Sequence, residues 1–160
     1  MMNNETMNTV PSELIVAEAR EEITALSATD FANPTAKPMF CSLKDDGTAK
    51  SKASIFNAIN APDERLSEKI GEVITMKDVI AHEIELIDEN TGELIKALRV
   101  VIIDDKGKSY EAVSGGVANA IHRILQIFGQ PETWTEPIKV KPKQKATRNG
   151  NNKVTTLEIV

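Results

Sequence analysis

One segment of this chain differs from the sequence on either side of it in the spacing of its apolar residues, and this segment limits the folds that the chain can adopt. Between Ser114 and Gly129 the apolar residues recur every three or four residues, which is the spacing of one helix face. Ser114 suits the N-cap, Gly129 suits the C-terminal stop, and Pro131 opposes continuation of the helix. The apolar positions of this predicted helix are Val117, Ala120, Ile121, Ile124, Leu125 and Phe128. On both sides of it the apolar residues alternate or form short runs, which predicts a mainly β chain.

Three strands are predicted before this helix and two after it, separated by turn-forming sequences rich in Asp, Asn and Gly. The predicted strands are residues 79–87 (with a start that reaches back to Val73), 94–103, 109–113, 138–145 and 154–160. The second strand is apolar on both faces over residues 98–103. One of its faces is therefore expected in a core, and the other under an arm, a helix or a second subunit.

Three meander strands, one helix and a two-stranded hairpin follow the connectivity of the OB-fold, an oligonucleotide- and oligosaccharide-binding barrel. We therefore predict a five-stranded OB-fold barrel with its helix between strands 3 and 4, formed by residues 37–160 and preceded by an N-terminal arm. The arm, residues 1–36, is predicted to be acidic and partly flexible, since residues 1–30 contain six acidic side chains and one arginine. Within residues 12–26 the composition favours a helix, and residues 39–43 suit a short strand.

A row of lysines on the predicted fourth strand contrasts with the net charge of −5 of the whole chain. Successive side chains of a strand point to opposite faces, so Ile138 and Val140 can face a core while the lysines share the other face. We call Lys139, Lys141, Lys143 and Lys145 the lysine ladder. Arg148 and Lys153 follow it, and no acidic residue occurs from position 138 to 156. The hypothesis is that the ladder and these two residues track a nucleic-acid backbone, and the alternative is an ordinary solvated surface.

Flat side chains that could stack on unpaired bases are scarce, since aromatic residues make up 4% of the chain. Tyr110, Trp134 and Arg99 are the main candidates for contact with nucleic acid. Each has a structural alternative: a core position for Tyr110, a lid over the end of the barrel for Trp134, and a cross-strand ion pair for Arg99. Phe128 and Phe56 are predicted to lie in the core.

Catalytic and metal-binding patterns are weak, so no enzyme activity, cofactor or metal is predicted. The acidic pairs at residues 45–46 and 104–105 adjoin glycines in turn-like sequences, which favours turns over a nuclease site. The single cysteine excludes a disulfide within the chain, and no apolar run approaches the roughly 20 residues of a membrane span. The N-terminus does not resemble a signal peptide, and a cytoplasmic location is expected.

Several runs of the sequence resemble small single-stranded DNA-binding proteins of bacterial phages and mobile elements. The runs are GEVITMKDVI (71–80), RVVIID (99–104), GKSYEAVS (107–114) and IFGQP (127–131), followed by Trp134 and Pro137. The resemblance covers roughly residues 40–160. It implies protection of displaced strands during phage or plasmid replication in the cytoplasm of a bacterial host. The expected partners are single-stranded DNA and replication proteins, with the chain acting as a monomer or homodimer. The alternative is a protein-interaction or structural subunit that uses the apolar second strand and binds no nucleic acid.

Overall fold

A computed structural model describes residues 27–35, 37–88, 90–148, 150 and 152–160. The strands are β1 (Met39–Cys41), β2 (Glu64–Arg65), β3 (Ile74–Ile87), β4 (Leu94–Asp104), β5 (Ser109–Ala112), β6 (Ile138–Ala146) and β7 (Lys153–Ile159). The helices are α1 (Ala28–Ala32), α2 (Ala49–Asn60) and α3 (Gly115–Phe128), with short 3₁₀ turns at Leu66–Glu68 and Pro131–Thr133. The helix predicted over residues 12–26 lies outside the described residues. No described helix has the length and apolar character needed to cross a membrane.

The described strands form a single curled sheet in the order β2–β5–β4–β3–β6–β7, and β1 pairs with β3. The fold is mainly β, as the spacing predicts. The sheet has two more strands than the predicted five, because β1 and β2 add short pairings to β3 and β5. β2 runs parallel to β5, and the other pairs are antiparallel. Among the described residues no backbone pairing joins β5 to β7.

Helix α3 lies between β5 and β6 in the chain and packs against β7. Its N-cap, Ser114, accepts a hydrogen bond from the backbone N–H of Gly116 and donates one to the carbonyl oxygen of Thr155 at 2.5 Å. The hydroxyl of Thr156 donates to the carbonyl oxygen of Gly116 at 3.3 Å. A Cβ atom on Gly116 would collide with the Thr155 carbonyl, so this close contact requires glycine. The first turn of α3 is therefore attached to β7.

The two faces of the sheet bury separate apolar clusters. The inner cluster joins α3 to the sheet through residues that include Val117, Ile121, Met76, Ile138 and Val140. The outer cluster contains Ile80, Val101 and Ile103 of the sheet and Ala58 of α2, with Cys41, Leu43 and Ile59 packed against it. The second predicted strand, β4, is thus covered on its outer face by a helix of the same chain. Each fully buried aliphatic side chain of this kind contributes about 1.5–3 kcal/mol.

Candidate nucleic-acid interface

The lysine ladder occupies one face of β6. Ile138, Val140 and Pro142 are buried on the opposite face, whereas Lys139, Lys143 and Lys145 are exposed and Lys141 is half-buried. This burial pattern confirms the predicted alternation. The structure therefore presents four amino groups on one side of a strand whose other side is anchored in the core.

The cross-strand partners of the ladder come from β7. Lys141 lies opposite Glu158, Lys143 opposite Thr156, and Lys145 opposite Val154. Directly opposed residues of an antiparallel pair share a face. The face of the β6–β7 hairpin that carries the ladder therefore has four lysines and one carboxylate.

The carboxylate of Glu158 neutralises part of the ladder. Its Oε2 atom accepts a hydrogen bond from Nζ of Lys143 at 3.0 Å. This hydrogen bond, followed by the positive charge of the same lysine, lowers the pKa of Glu158. Lys139, Lys141 and Lys145 form no ion pair with any described carboxylate. The ladder is thus a cationic surface with a single internal counter-charge.

The two basic residues near the hairpin turn lie in different positions. Arg148 is exposed in the turn that follows β6. Lys153 pairs with Ala146, and this register places it on the hairpin face opposite the ladder. Arg148 can therefore extend the cationic surface at the tip of the hairpin, whereas Lys153 flanks the tip from the other side.

A groove with a volume of about 530 Å³ separates α3 from the β6–β7 hairpin. We call it the helix–hairpin groove. Lys143 and Lys145 of the ladder line one side, and Arg123 and Phe128 of α3 line the other. Ile127 and Ile159, both exposed, also contribute to its walls. The groove therefore combines apolar and cationic side chains, and it is continuous with the lysine ladder because the two share Lys143 and Lys145.

A family model described as phage single-stranded DNA-binding protein matches residues 35–160. The chain belongs to this family. Single-stranded DNA is accordingly its partner, in agreement with the resemblance carried by the runs between residues 71 and 137. The matched residues include all of the sheet, α3 and the lysine ladder. No curated protein and no solved structure matches the chain.

Arg99 does not lie on the ladder surface of this family member. Its Nη2 atom forms an ion pair with Oε2 of Glu111 at 2.8 Å, and its Nη1 atom donates to the carbonyl oxygen of Ile59 at 3.4 Å. The side chain is 12% exposed. Arg99 thus forms the cross-strand ion pair that was its structural alternative. Its guanidinium is not presented for stacking.

Tyr110 and Trp134 are likewise engaged within the fold. Tyr110 is 8% exposed and belongs to the inner cluster, and its hydroxyl donates to Oδ2 of Asp104 at 3.2 Å. Burial, reinforced by the charge of Asp104, raises the pKa of Tyr110. Trp134 packs against the same cluster and donates from Nε1 to the carbonyl oxygen of Gly129 at 3.0 Å. Tyr110 therefore occupies the core position that was its structural alternative, and half-buried Trp134 holds the end of α3.

The predictions for two phenylalanines were wrong. Phe128 and Phe56 were expected in the core, but their side chains are 46% and 61% exposed. Helical spacing correctly indicated the face of α3 that contains Val117 and Ile121, but it does not show where the packing partner of a helix ends. The last residue of α3 therefore lines the groove instead of filling the core.

Arg123 and Phe128 are potential binding residues that the sequence reasoning did not identify. One signal was available: residues 114–130 contain no acidic side chain, as is also true of residues 138–157. The two walls of the groove come largely from these two acid-free stretches.

One carboxylate in each acidic pair stabilises a turn or a helix cap, in keeping with the interpretation of these pairs as turns. Asp104 accepts hydrogen bonds from the backbone N–H groups of Lys106 and Lys108, both at 2.9 Å, and so stabilises the β4–β5 turn. Asp46 accepts from the backbone N–H and hydroxyl of Thr48, the N-cap of α2; these hydrogen bonds lower the pKa of Asp46 to about 2. In the part of the chain that the structure describes, no group of three or more His, Cys, Asp or Glu side chains could hold a metal ion.

Proposed function

We propose that the protein binds single-stranded DNA without sequence preference and protects strands displaced during phage or plasmid replication. The observation that carries the proposal is the lysine ladder: four amino groups on one face of β6, with one carboxylate opposite them. Lysine binds phosphate as a point charge and does not read base edges, so a ladder of lysines favours a backbone without selecting a sequence.

The fold supports the same position for the ligand. A curled sheet with α3 between β5 and β6 is compatible with an OB-like barrel, in which the loop between the last two strands takes part in binding. In this chain that loop is the turn of the β6–β7 hairpin, which carries Arg148. The family match begins at residue 35, close to the predicted start of the domain at residue 37. We retain the assignment of residues 1–36 as an arm and of residues 37–160 as the binding domain.

The competing proposal, a protein-interaction subunit, is less well supported. It relied on the second apolar face of β4 as a free contact surface. Ala58 and Ile59 of α2, together with Cys41 and Leu43, pack on that face. The surface that motivated this alternative is therefore occupied by the chain itself.

The proposal is tested by replacing Lys139, Lys141 and Lys143 together with Ala. Each phosphate contact to a single strand contributes roughly 0.7 to the slope of log K against log salt. Removal of three contacts should flatten this slope by about 2. The ratio of wild-type to variant affinity should therefore fall by roughly 20-fold as salt rises from 50 to 200 mM. Fluorescence anisotropy of a labelled oligonucleotide measures both quantities.

The control variant replaces Lys44, Lys50 and Lys52 with Ala. It removes the same charge from the loop and first turn of α2, outside the hairpin. The salt slope of the control should differ from that of wild type by less than roughly 0.7, the contribution of one phosphate contact. Equal flattening in both variants would show that net charge, and not the ladder, governs binding.

A further inference from the structure

The lysine ladder does not by itself explain why a single strand would be preferred over a duplex. Both present phosphates, and only a single strand offers the unstacked faces of its bases. Preference for single strands therefore needs an exposed flat group near the ladder. Tyr110 and Arg99 do not meet this requirement, because both are largely buried and paired within the fold. Trp134 is half-buried against the inner cluster and is not among the residues that line the groove beside the ladder.

Phe128 meets the requirement. It is the last residue of α3, it is 46% exposed, and it lines the helix–hairpin groove together with Lys143 and Lys145. The backbone at this end of the helix is held in place by its neighbours. Gly129 stops the helix with a φ of +80° and donates its N–H to the carbonyl oxygen of Leu125, and the indole of Trp134 binds the carbonyl of Gly129. The backbone that carries the exposed ring is thus already ordered, which lowers the entropic cost of placing the ring on a ligand.

The charges of the groove favour an anionic ligand. Its walls carry Arg123, Lys143 and Lys145 against the single carboxylate of Glu158. Arg123 forms no ion pair with a carboxylate of the described chain. The volume of about 530 Å³ is within the roughly 300–1,000 Å³ typical of small-molecule sites. The groove thus offers apolar contact for a base and cations for the phosphates beside it.

We propose that the helix–hairpin groove receives an unstacked base of the bound strand, with Phe128 stacking on the base and Arg123 contacting an adjacent phosphate. This inference rests on the proposed function, because the strand must first follow the lysine ladder. Two observations favour a nucleotide over a protein segment as the occupant: the excess of cations in the groove, and the sharing of Lys143 and Lys145 between groove and ladder.

The test compares an oligothymidylate with an abasic strand of the same length, which keeps the phosphates and lacks the bases. The variants are Phe128→Ala and Phe128→Leu, and the matched control is Phe56→Ala, which removes an exposed phenyl ring from α2 outside the groove. Wild type and the Phe56 control should prefer oligothymidylate. Both Phe128 variants should lose roughly 5- to 150-fold in affinity for it, the range for one stacked base, and bind the abasic strand as wild type does.

The Leu variant keeps an apolar side chain at position 128, so it separates loss of the flat ring from loss of packing. Thermal unfolding confirms that all variants are folded. An unchanged affinity of both Phe128 variants for oligothymidylate would overturn the groove proposal, as would an equal loss on both strands. An oligomer that dissociates in the Phe128 variants, with unchanged DNA affinity, would overturn it by making the groove a contact between copies.

Failure of the groove proposal is distinguishable from failure of the proposed function. If wild type binds both strands equally and with steep salt dependence, the groove proposal is overturned and the ladder proposal stands. If wild type binds neither strand at low salt, the proposed function is overturned together with the groove proposal.

Discussion

Replacement of Gly116 by Ala tests whether α3 is docked on β7 as the structure describes. Alanine in a helix is ordinarily more stable than glycine by about 1 kcal/mol. At Gly116 the added Cβ would collide with the carbonyl oxygen of Thr155 and lie 3.0 Å from Cγ1 of Val154. Because the nearest neighbour is backbone, the first turn of α3 must move away from β7. That movement would disturb the hydrogen bonds that Ser114 and Thr156 make across the contact.

The neighbouring glycine provides a matched control. A Cβ on Gly115 would meet no atom within 4 Å, so Gly115→Ala should be neutral or stabilising. Overpacking at a tight contact costs about 1–3 kcal/mol, and we expect Gly116→Ala to be less stable than Gly115→Ala by about that amount. In thermal unfolding the difference corresponds to roughly 2–12 °C for a chain of this size. A Gly116→Ala protein as stable as the Gly115→Ala protein would refute the docking of α3 on β7, and with it the shape of the groove.

Two further substitutions test the charges of the site. Glu158→Gln removes the carboxylate that pairs with Lys143. The variant should bind single strands more tightly at low salt, and its slope of log K against log salt should be steeper by up to roughly 0.7. An affinity and a slope equal to wild type in the anisotropy assay would contradict the role of Glu158 as a counter-charge. Arg99→Ala leaves the largely buried Glu111 without its ion-pair partner. The free energy of unfolding in urea should fall by about 1–3 kcal/mol, and the salt slope of DNA binding should stay unchanged. A flattened salt slope would place Arg99 at the interface.

The alternation of β6 and the helical spacing of α3 could be predicted from the sequence because both are local properties. A side chain in a strand changes face at every residue, so the burial of Ile138 and Val140 determined the face of the lysines. The two-faced apolar pattern of β4 likewise indicated that something covers it. Which element does so could not be predicted, because arm, helix and second subunit satisfy the same pattern, and the structure assigns the role to α2.

The partners of individual polar and aromatic residues were less predictable, because they depend on contacts between distant parts of the chain. Arg99 meets the carbonyl of Ile59, 40 residues away, and Trp134 meets a helix end whose location depends on the packing of α3. Phe128 was predicted to be buried and is exposed instead. Its spacing matched the buried face of α3, yet the packing around the last turn leaves it half exposed beside the hairpin. Periodicity indicates a face of an element but not how far the neighbouring layer extends.

The central claim, sequence-tolerant binding of single strands, is tested most directly by titrating the full chain with oligothymidylates of increasing length and with a duplex of matched length. Fluorescence of Trp134, which contacts the end of α3 next to the groove, provides a label-free signal. We predict binding that favours the single strand, weakens steeply with salt and varies little between base sequences. Equal or tighter binding of the duplex, or no binding of any single strand at low salt, would contradict the claim.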